Sequence, residues 1–99
     1  MRAVLIHRAT NSQYLVAQSD ETFFLLVAAS RHLPDLQVGD TLEFEMLGYA
    51  RTIVRDVVTG NRFESSYILV YADKFSALSA AFELGWEKAT QTRSAKSAA

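Results

Sequence analysis

Residues 41–71 read TLEFEMLGYARTIVRDVVTGNRFESSYILVY and decide the fold class. In the run 41–46, apolar Leu42, Phe44 and Met46 alternate with polar residues, which is the period of a strand with one buried face. Residues 49–58 are rich in β-branched side chains and lead through Gly60-Asn61, a hairpin signal, into residues 62–71. We therefore predict a curved antiparallel sheet whose inner surface carries the three apolar residues of the first run.

The predicted hairpin also sets a register between its two strands. A two-residue turn pairs Thr59 with Arg62, and every later pair follows from that one. The pairs expected on one face are Val58 with Phe63, Val54 with Tyr67 and Thr52 with Leu69, and on the other face Ile53 with Ile68.

Three further segments precede this sheet. Residues 3–7 and 14–17 predict two strands joined by a turn-rich stretch. Residues 22–30 form a continuous apolar run that fits either a buried strand or a buried helix capped by Ser19 or Asp20. The shortness and the aromatic residues of the run favour the strand.

After Asp73 the period changes to that of a helix. Phe75, Leu78, Phe82 and Trp86 recur at spacings of three and four, which predicts an amphipathic helix over about 73–88 with its apolar stripe on the last hairpin. Asp73 is a suitable N-cap. We predict one domain over residues 1–89 and a disordered tail over 90–99, where the residues are small and polar.

Composition limits the class of protein. The chain has 99 residues, 49% of them hydrophobic, which suits a single core. It has no cysteine, so disulfides and thiolate metal sites are excluded. Its net charge of −1 gives no general attraction to polyanions, and its longest apolar run, residues 23–29, is too short to span a bilayer. A cytoplasmic protein without a membrane partner is expected.

The stretch Leu36-Gln37-Val38-Gly39-Asp40-Thr41-Leu42-Glu43-Phe44, with the order of the first five segments, resembles the OB-type barrel of cold-shock domains and their S1-like relatives. The likeness covers roughly residues 3–58. It implies an OB-like barrel, although the hairpin to Tyr71 and the helix of Phe75 to Trp86 exceed a minimal cold-shock barrel. The sequence pattern and the resemblance together predict a mainly β fold, a small OB-like barrel of five to six antiparallel strands with a C-terminal α-helix. An SH3-like barrel is the alternative, since its strand pattern is much the same.

The same resemblance implies binding of single strands by outward aromatic side chains on strands two and three. The aligned positions here hold no aromatic residue and are Ile6, Gln13, Leu15, Leu26 and Ala28. A slip of one residue would bring Tyr14 to such a position.

Arginines form the most distinctive polar pattern. Arg51 and Arg55 lie four apart on one strand and so share a face, which in the predicted register also carries Tyr49, Ile53 and Ile68. Arginine interleaved with an aromatic can hold phosphates and stack on bases. The alternative is that these arginines cover apolar surface and pair with Glu64 or Glu83. The candidate binding residues are Arg8, Tyr14, Arg51, Arg55 and Arg62.

Catalytic and metal-binding patterns do not emerge. His7 and His32 have no ligand spacing, and no nucleophile or phosphate-loop motif is present. We expect no enzyme, no metal and no cofactor. Two functions remain: a non-enzymatic module that binds single-stranded DNA or RNA, or a protein-interaction or regulatory module that offers a sheet edge or apolar patch to a partner or to its own copy.

Overall fold

Six strands, each antiparallel to its neighbours, close into a barrel in the computed structural model, which describes residues 1–8 and 12–84. The elements are β1 Arg2–Arg8, β2 Tyr14–Ser19, β3 Thr22–Ala28, β4 Thr41–Glu43, β5 Thr52–Asp56, β6 Arg62–Tyr71 and a helix α1 over residues 74–84. The strand order is β1-β2-β3-β6-β5-β4, and β4 pairs with β1 to complete the circle. The predicted fold class is confirmed; the predicted tail over 90–99 lies outside the described residues.

Strand β3 has a core on each side. Phe24, Leu26 and Ala28 face the barrel interior, whereas its alternate residues Phe23, Leu25 and Val27 face outward beneath α1. Because both faces are buried, the sequence of β3 shows no alternation. The prediction of a strand over this run is confirmed, and the helical alternative is wrong.

The barrel interior closes with residues from loops as well as strands. Leu36, from the loop before β4, is buried, and Phe44 packs edge-on against Phe24 with the ring centroids 5.3 Å apart. The buried interior consists of Ala3, Leu5, Leu15, Ala17, Phe24, Leu26, Ala28, Leu36, Leu42, Phe44, Val54, Phe63 and Ile68.

The prediction that Met46 faces inward is wrong, since its side chain is 51% exposed. Strand β4 ends at Glu43, and the Phe44 N–H donates to the Met1 carbonyl at 2.9 Å. Gly48, with φ +82°, then makes a bridge to Ile68. The period of two therefore stops at Phe44, where the chain leaves the ladder.

The predicted register of the last hairpin is also wrong. Arg55 pairs with Arg62 and Val54 with Phe63, a shift of four residues from the predicted pairs. Asp56 causes the shift, because its Oδ1 accepts the Val58 N–H at 2.8 Å and its carbonyl accepts the Gly60 N–H at 2.8 Å. These bonds close a turn after β5 that is longer than the two residues predicted from Gly60-Asn61.

A bulge at Ser66 divides β6 into two halves. Val27 pairs with Tyr67, but the next residue, Ala28, pairs with Ser65, so Ser66 is an extra residue in the ladder. The extra residue shifts the alternation of inward and outward side chains by one, so that Ile68 faces the barrel interior. In the register set by the turn after β5, Ile53 lies opposite Glu64, and the predicted pairing of Ile53 with Ile68 is wrong.

Helix α1 begins as predicted but presents a different face. The Asp73 Oδ1 accepts the Ser76 N–H at 2.8 Å, so Asp73 is the N-cap, and this bond lowers the pKa of the Asp73 carboxyl. The buried residues of α1 are Ala77 and Ala81, whereas Phe75 is 81% exposed and Phe82 is 61% exposed. No helix in residues 1–8 and 12–84 has the length and apolar character needed to cross a bilayer.

The prediction that Phe75 and Phe82 belong to the buried apolar stripe of α1 is therefore wrong. The outer sheet surface already carries large rings, those of Phe23, Tyr67 and Tyr71. A helix can approach such a surface closely only with small side chains, and alanines provide them. The Phe82 ring instead packs beside His7, with centroids 5.1 Å apart. Trp86, the last member of the predicted stripe, lies outside the described residues.

Candidate nucleic-acid interface

Helix α1 covers one side of the barrel and leaves the other side open. The apolar residues packed with α1 belong to β1, β2, β3 and the second half of β6. Among residues 1–8 and 12–84, no such cover lies over the outer surface of β5, and Ile53 at its centre is 57% exposed. We call this surface, formed by the outward side chains of Arg51, Ile53, Arg55, Arg62, Glu43 and Glu64, the arginine face.

At one end of the arginine face, one carboxylate holds two arginines. Glu43 Oε2 accepts from Arg2 Nε at 2.9 Å, and Glu43 Oε1 accepts from Arg55 at 3.1 Å. The hydrogen bonds from Arg2 and Arg55 lower the pKa of Glu43. Glu43 lies between the two arginines because β4 pairs with β1 on one side and with β5 on the other.

Arg55 and Arg62 are direct cross-strand partners of the same charge. The register of β5 and β6 puts their Cα atoms opposite each other, an arrangement that weakens a sheet unless another group neutralises it. Arg55 has Glu43, but Arg62 is exposed and forms no ion pair within the described part of the chain. Arg62 is thus a guanidinium open to an anion from solution.

Arg51 completes the charge pattern. Its guanidinium lies 3.4 Å from Glu64 Oε1, with both side chains largely exposed, which confirms one of the pairings predicted for it. Arg55 pairs with Glu43 rather than with either predicted acid. With Arg2 included, four arginines and two glutamates give this surface a local charge of +2, although the whole chain carries −1.

An exposed tyrosine borders the arginine face. Tyr49 is 84% exposed, and its ring lies 5.3 Å from that of Tyr67. Burial, with the neighbouring phenols of Tyr14, Tyr49 and Tyr71, raises the pKa of Tyr67. In the sequence, the position of Tyr49 two residues before Arg51 indicated that it lies near the arginines. No local pattern indicated Arg2, which reaches Glu43 because β1 pairs with β4.

The structure brings together three of the five predicted binding residues. Arg51, Arg55 and Arg62 share the arginine face, but Tyr14 is half-buried on β2 in the apolar cluster beneath α1. Arg8 lies at the end of the barrel, where its guanidinium donates to the Leu36 carbonyl at 2.6 Å. It thereby holds the loop whose Leu36 side chain closes the barrel interior.

A small cavity lies beside Arg62. Its volume is about 150 Å³, below the roughly 300–1,000 Å³ typical of small-molecule sites. It is lined by Ala29, Ser30, His32, Leu33, Pro34, Arg62, Phe63 and Glu64. Within residues 1–8 and 12–84, no three His, Asp or Glu side chains are grouped as a metal ion would require.

The surface used by cold-shock domains is closed in this chain. The aligned residues Leu15, Leu26 and Ala28 face the barrel interior, and the outward residues of β2 and β3 lie beneath α1. The arginine face, in contrast, is exposed in the part of the chain that the structure describes. Comparison with family models, with curated proteins and with solved structures finds no match to this chain.

Proposed function

We propose that this domain is a non-enzymatic module that binds single-stranded nucleic acid along the arginine face. One observation carries the proposal: Arg62 lies opposite Arg55, has no acidic partner among the described residues, and is on the side of the barrel that α1 leaves open. Glu43 neutralises Arg55 alone, so a phosphate that binds beside Arg62 would supply the second negative charge that this like-charged pair calls for.

The side chains around this pair favour a single strand over a duplex. Tyr49 and Ile53 are exposed apolar side chains, and in sequence Tyr49 precedes Arg51 by two residues while Ile53 lies between Arg51 and Arg55. In a duplex the faces of the bases are covered by stacking on their neighbours. A single strand can stack a base on the Tyr49 ring while its phosphates contact Arg51, Arg55 and Arg62. Arginine suits both contacts because its planar guanidinium grips phosphate and stacks on rings.

Binding of this kind will depend strongly on salt. Contacts from three arginines to single-strand phosphates give a slope of log K against log salt of about −2. Raising salt from about 50 to 200 mM should then weaken binding about 20-fold. The acidic remainder of the chain adds no attraction, so we expect affinity in the micromolar range.

We expect Arg62→Gln and Tyr49→Ala to weaken binding in different ways. Loss of Arg62 removes one phosphate contact, so the salt slope should become shallower by about 0.7. Loss of the Tyr49 ring removes one stacked base, worth about 1–3 kcal/mol, or roughly 5- to 150-fold in affinity at any salt. Fluorescence anisotropy with short labelled DNA and RNA oligomers measures both.

Lys74→Gln is the matched control, because it removes one exposed positive charge from α1, away from the arginine face. It should leave the salt slope unchanged. The proposal fails if neither DNA nor RNA binds at about 10 μM protein in low salt, where even non-specific binding is usually measurable. It also fails if Lys74→Gln reduces binding as much as Arg62→Gln does.

A second candidate function, protein interaction, is favoured by the exposed phenylalanines of α1. Within the described residues the closed barrel has no unpaired edge strand, so a partner would have to contact side chains rather than extend the sheet. Phe75 and Phe82 are seven residues apart and lie on one side of the helix. If they mediate self-association, sedimentation velocity should show a concentration-dependent increase in sedimentation coefficient that Phe75→Ser with Phe82→Ser abolishes. A monomer at every concentration argues against a homodimer.

A further inference from the structure

The cavity beside Arg62 lies between the first half of β6 and the loop that follows β3. This loop is fixed to the barrel at two points. At its start the Ala29 N–H donates to the Glu64 carbonyl at 2.9 Å, and farther along the Asn61 side chain donates to the Asp35 carbonyl at 3.2 Å. The cavity is therefore formed before any ligand binds, as most binding sites are.

The walls of the cavity have an apolar part and a polar part. Phe63 is 7% exposed and Leu33 packs on the barrel interior, so the side of the cavity next to the barrel is apolar. The polar residues that line it are exposed to solvent and are Ser30, His32, Arg62 and Glu64. Apolar walls with a few polar groups suit a flat ring that carries hydrogen-bonding atoms on its edge.

The volume of the cavity limits the ring that can enter. At about 150 Å³, the cavity has the size of an apolar protein cavity that holds one benzene molecule. A pyrimidine base is likewise a single six-membered ring, whereas a purine consists of two fused rings and needs more room. Of the bases in a nucleic acid, the cavity therefore suits a pyrimidine.

Glu64 distinguishes between the pyrimidines. Its carboxylate can only accept hydrogen bonds, and its bond with Arg51 uses Oε1 at the long distance of 3.4 Å. Cytosine has an exocyclic amino group that donates to a carboxylate, whereas thymine and uracil have a carbonyl oxygen at the same position. A carbonyl oxygen beside Glu64 would be repelled, so the cavity favours cytosine.

Arg62 connects the cavity with the arginine face, because it belongs to both. Arg62 and Glu64 are two residues apart on β6, so they point to the same side and lie about 7 Å apart along the strand. A nucleotide whose base lies beside Glu64 can thus keep its phosphate on Arg62. The His32 imidazole, which also lines the cavity, offers a ring on which the base can stack.

We propose that this cavity binds one cytosine base of a single strand whose phosphates lie on the arginine face. The inference rests on the proposed function and adds a base preference to it. The inserted base leaves the stack of its neighbours, which costs little in a single strand. Its phosphate supplies the negative charge that Arg62 lacks among the described residues.

The test compares short labelled DNA strands of equal length made of deoxycytidine, deoxyuridine or deoxyadenosine, by fluorescence anisotropy at about 50 mM salt. Adenine also carries an exocyclic amino group, so cytosine against adenine tests the size of the cavity and cytosine against uracil tests Glu64. We expect the cytosine strand to bind about 5-fold or more tightly than each of the other two.

Two variants assign the preference to the cavity. In Ala29→Leu the larger side chain occupies the cavity, so the preference for cytosine over adenine should disappear. In Glu64→Gln the amide can accept from cytosine or donate to uracil, so the preference between these two should disappear while that over adenine remains. Ala72→Leu is the matched control, because Ala72 is also an exposed alanine but lies after β6, outside the cavity. Its preferences should equal those of wild type.

NMR of the wild-type chain gives a second measurement that needs no variant. The amide resonances of Ala29, Ser30 and Leu33 should shift when the cytosine strand is added, and should shift less with the adenine strand. Equal binding of the three strands would overturn the inference and leave the proposed function intact, whereas no binding of any strand would remove both. A cytosine preference that Ala29→Leu leaves unchanged, or loop amides that do not shift when the cytosine strand binds, would also overturn the inference.

Discussion

Replacing Phe44 with alanine is expected to lower the free energy of unfolding by about 3–5 kcal/mol, a large part of the total for a domain of this size. Phe44 is buried at 1% exposure, and its ring contacts Phe24 across the barrel. The chain around it has already left β4 and is fixed by the Phe44 N–H bond to Met1, so the barrel cannot easily collapse into the cavity. Urea unfolding followed by circular dichroism measures the loss.

Met46→Ala is the control for this prediction. Met46 continues the alternation of the sequence but is half-exposed, so its truncation should change the unfolding free energy by no more than about 0.5 kcal/mol. Phe44→Leu, which keeps most of the buried volume, should fall between the two. Equal losses for Met46→Ala and Phe44→Ala would show that the alternation runs on and that the chain does not leave the ladder at Phe44.

Replacing Ala77 with glutamate is expected to destabilise the domain by about 3 kcal/mol or more, because the carboxylate would be buried without a partner between α1 and the sheet. Ala77 is fully buried, and its neighbours Val16, Leu25 and Val27 are apolar. The larger side chain also separates the helix from the rings of Phe23 and Tyr71. Chemical denaturation measures the loss, and hydrogen exchange of residues 74–84 shows whether the helix detaches first.

Phe75→Glu, two positions away on the same helix, is the matched control. Phe75 is 81% exposed, so the new charge stays in water and the unfolding free energy should change little. The opposite ranking, with Phe75→Glu the more damaging, would mean that the aromatic stripe seen in the sequence is the docked face of α1 after all.

Much of the fold follows from local patterns. The alternation at Leu42 and Phe44, the apolar run of β3 and the cap at Asp73 each predict the element that the structure contains. The incorrect predictions, the hairpin register and the buried face of α1, concern features that are set by tertiary contacts. Asp56 lengthens the hairpin turn by binding backbone N–H groups, and the rings on the sheet select alanines rather than phenylalanines from α1.

The grouping of Arg51 and Arg55 on one face does not depend on the predicted register, which was wrong. Arg51 and Arg55 share a face in any register, since residues four apart on a strand always do. Arg62 joins them because the true register pairs it with Arg55. For Tyr14 and Arg8, the sequence alone could not predict which way the side chain points or whether it is covered. The cover over Tyr14 comes from a distant helix, and a bulge at Ile6, between Leu5 and His7, sets the direction of Arg8.

The extra residue at Ser66 has a consequence for how this chain can vary. Because of it, Ser65 and Ile68 are both buried although they are three residues apart; if Ser66 instead took a regular place in the ladder with β3, inside and outside would be exchanged from Tyr67 onward. Three large side chains, those of Tyr67, Leu69 and Tyr71, would then compete for the barrel interior, while Ile68 would be turned towards the helix. Deleting Ser66 would remove the bulge and leave Tyr67 outward and Ile68 inward, so this is the position in β6 where the loss of one residue preserves the two faces.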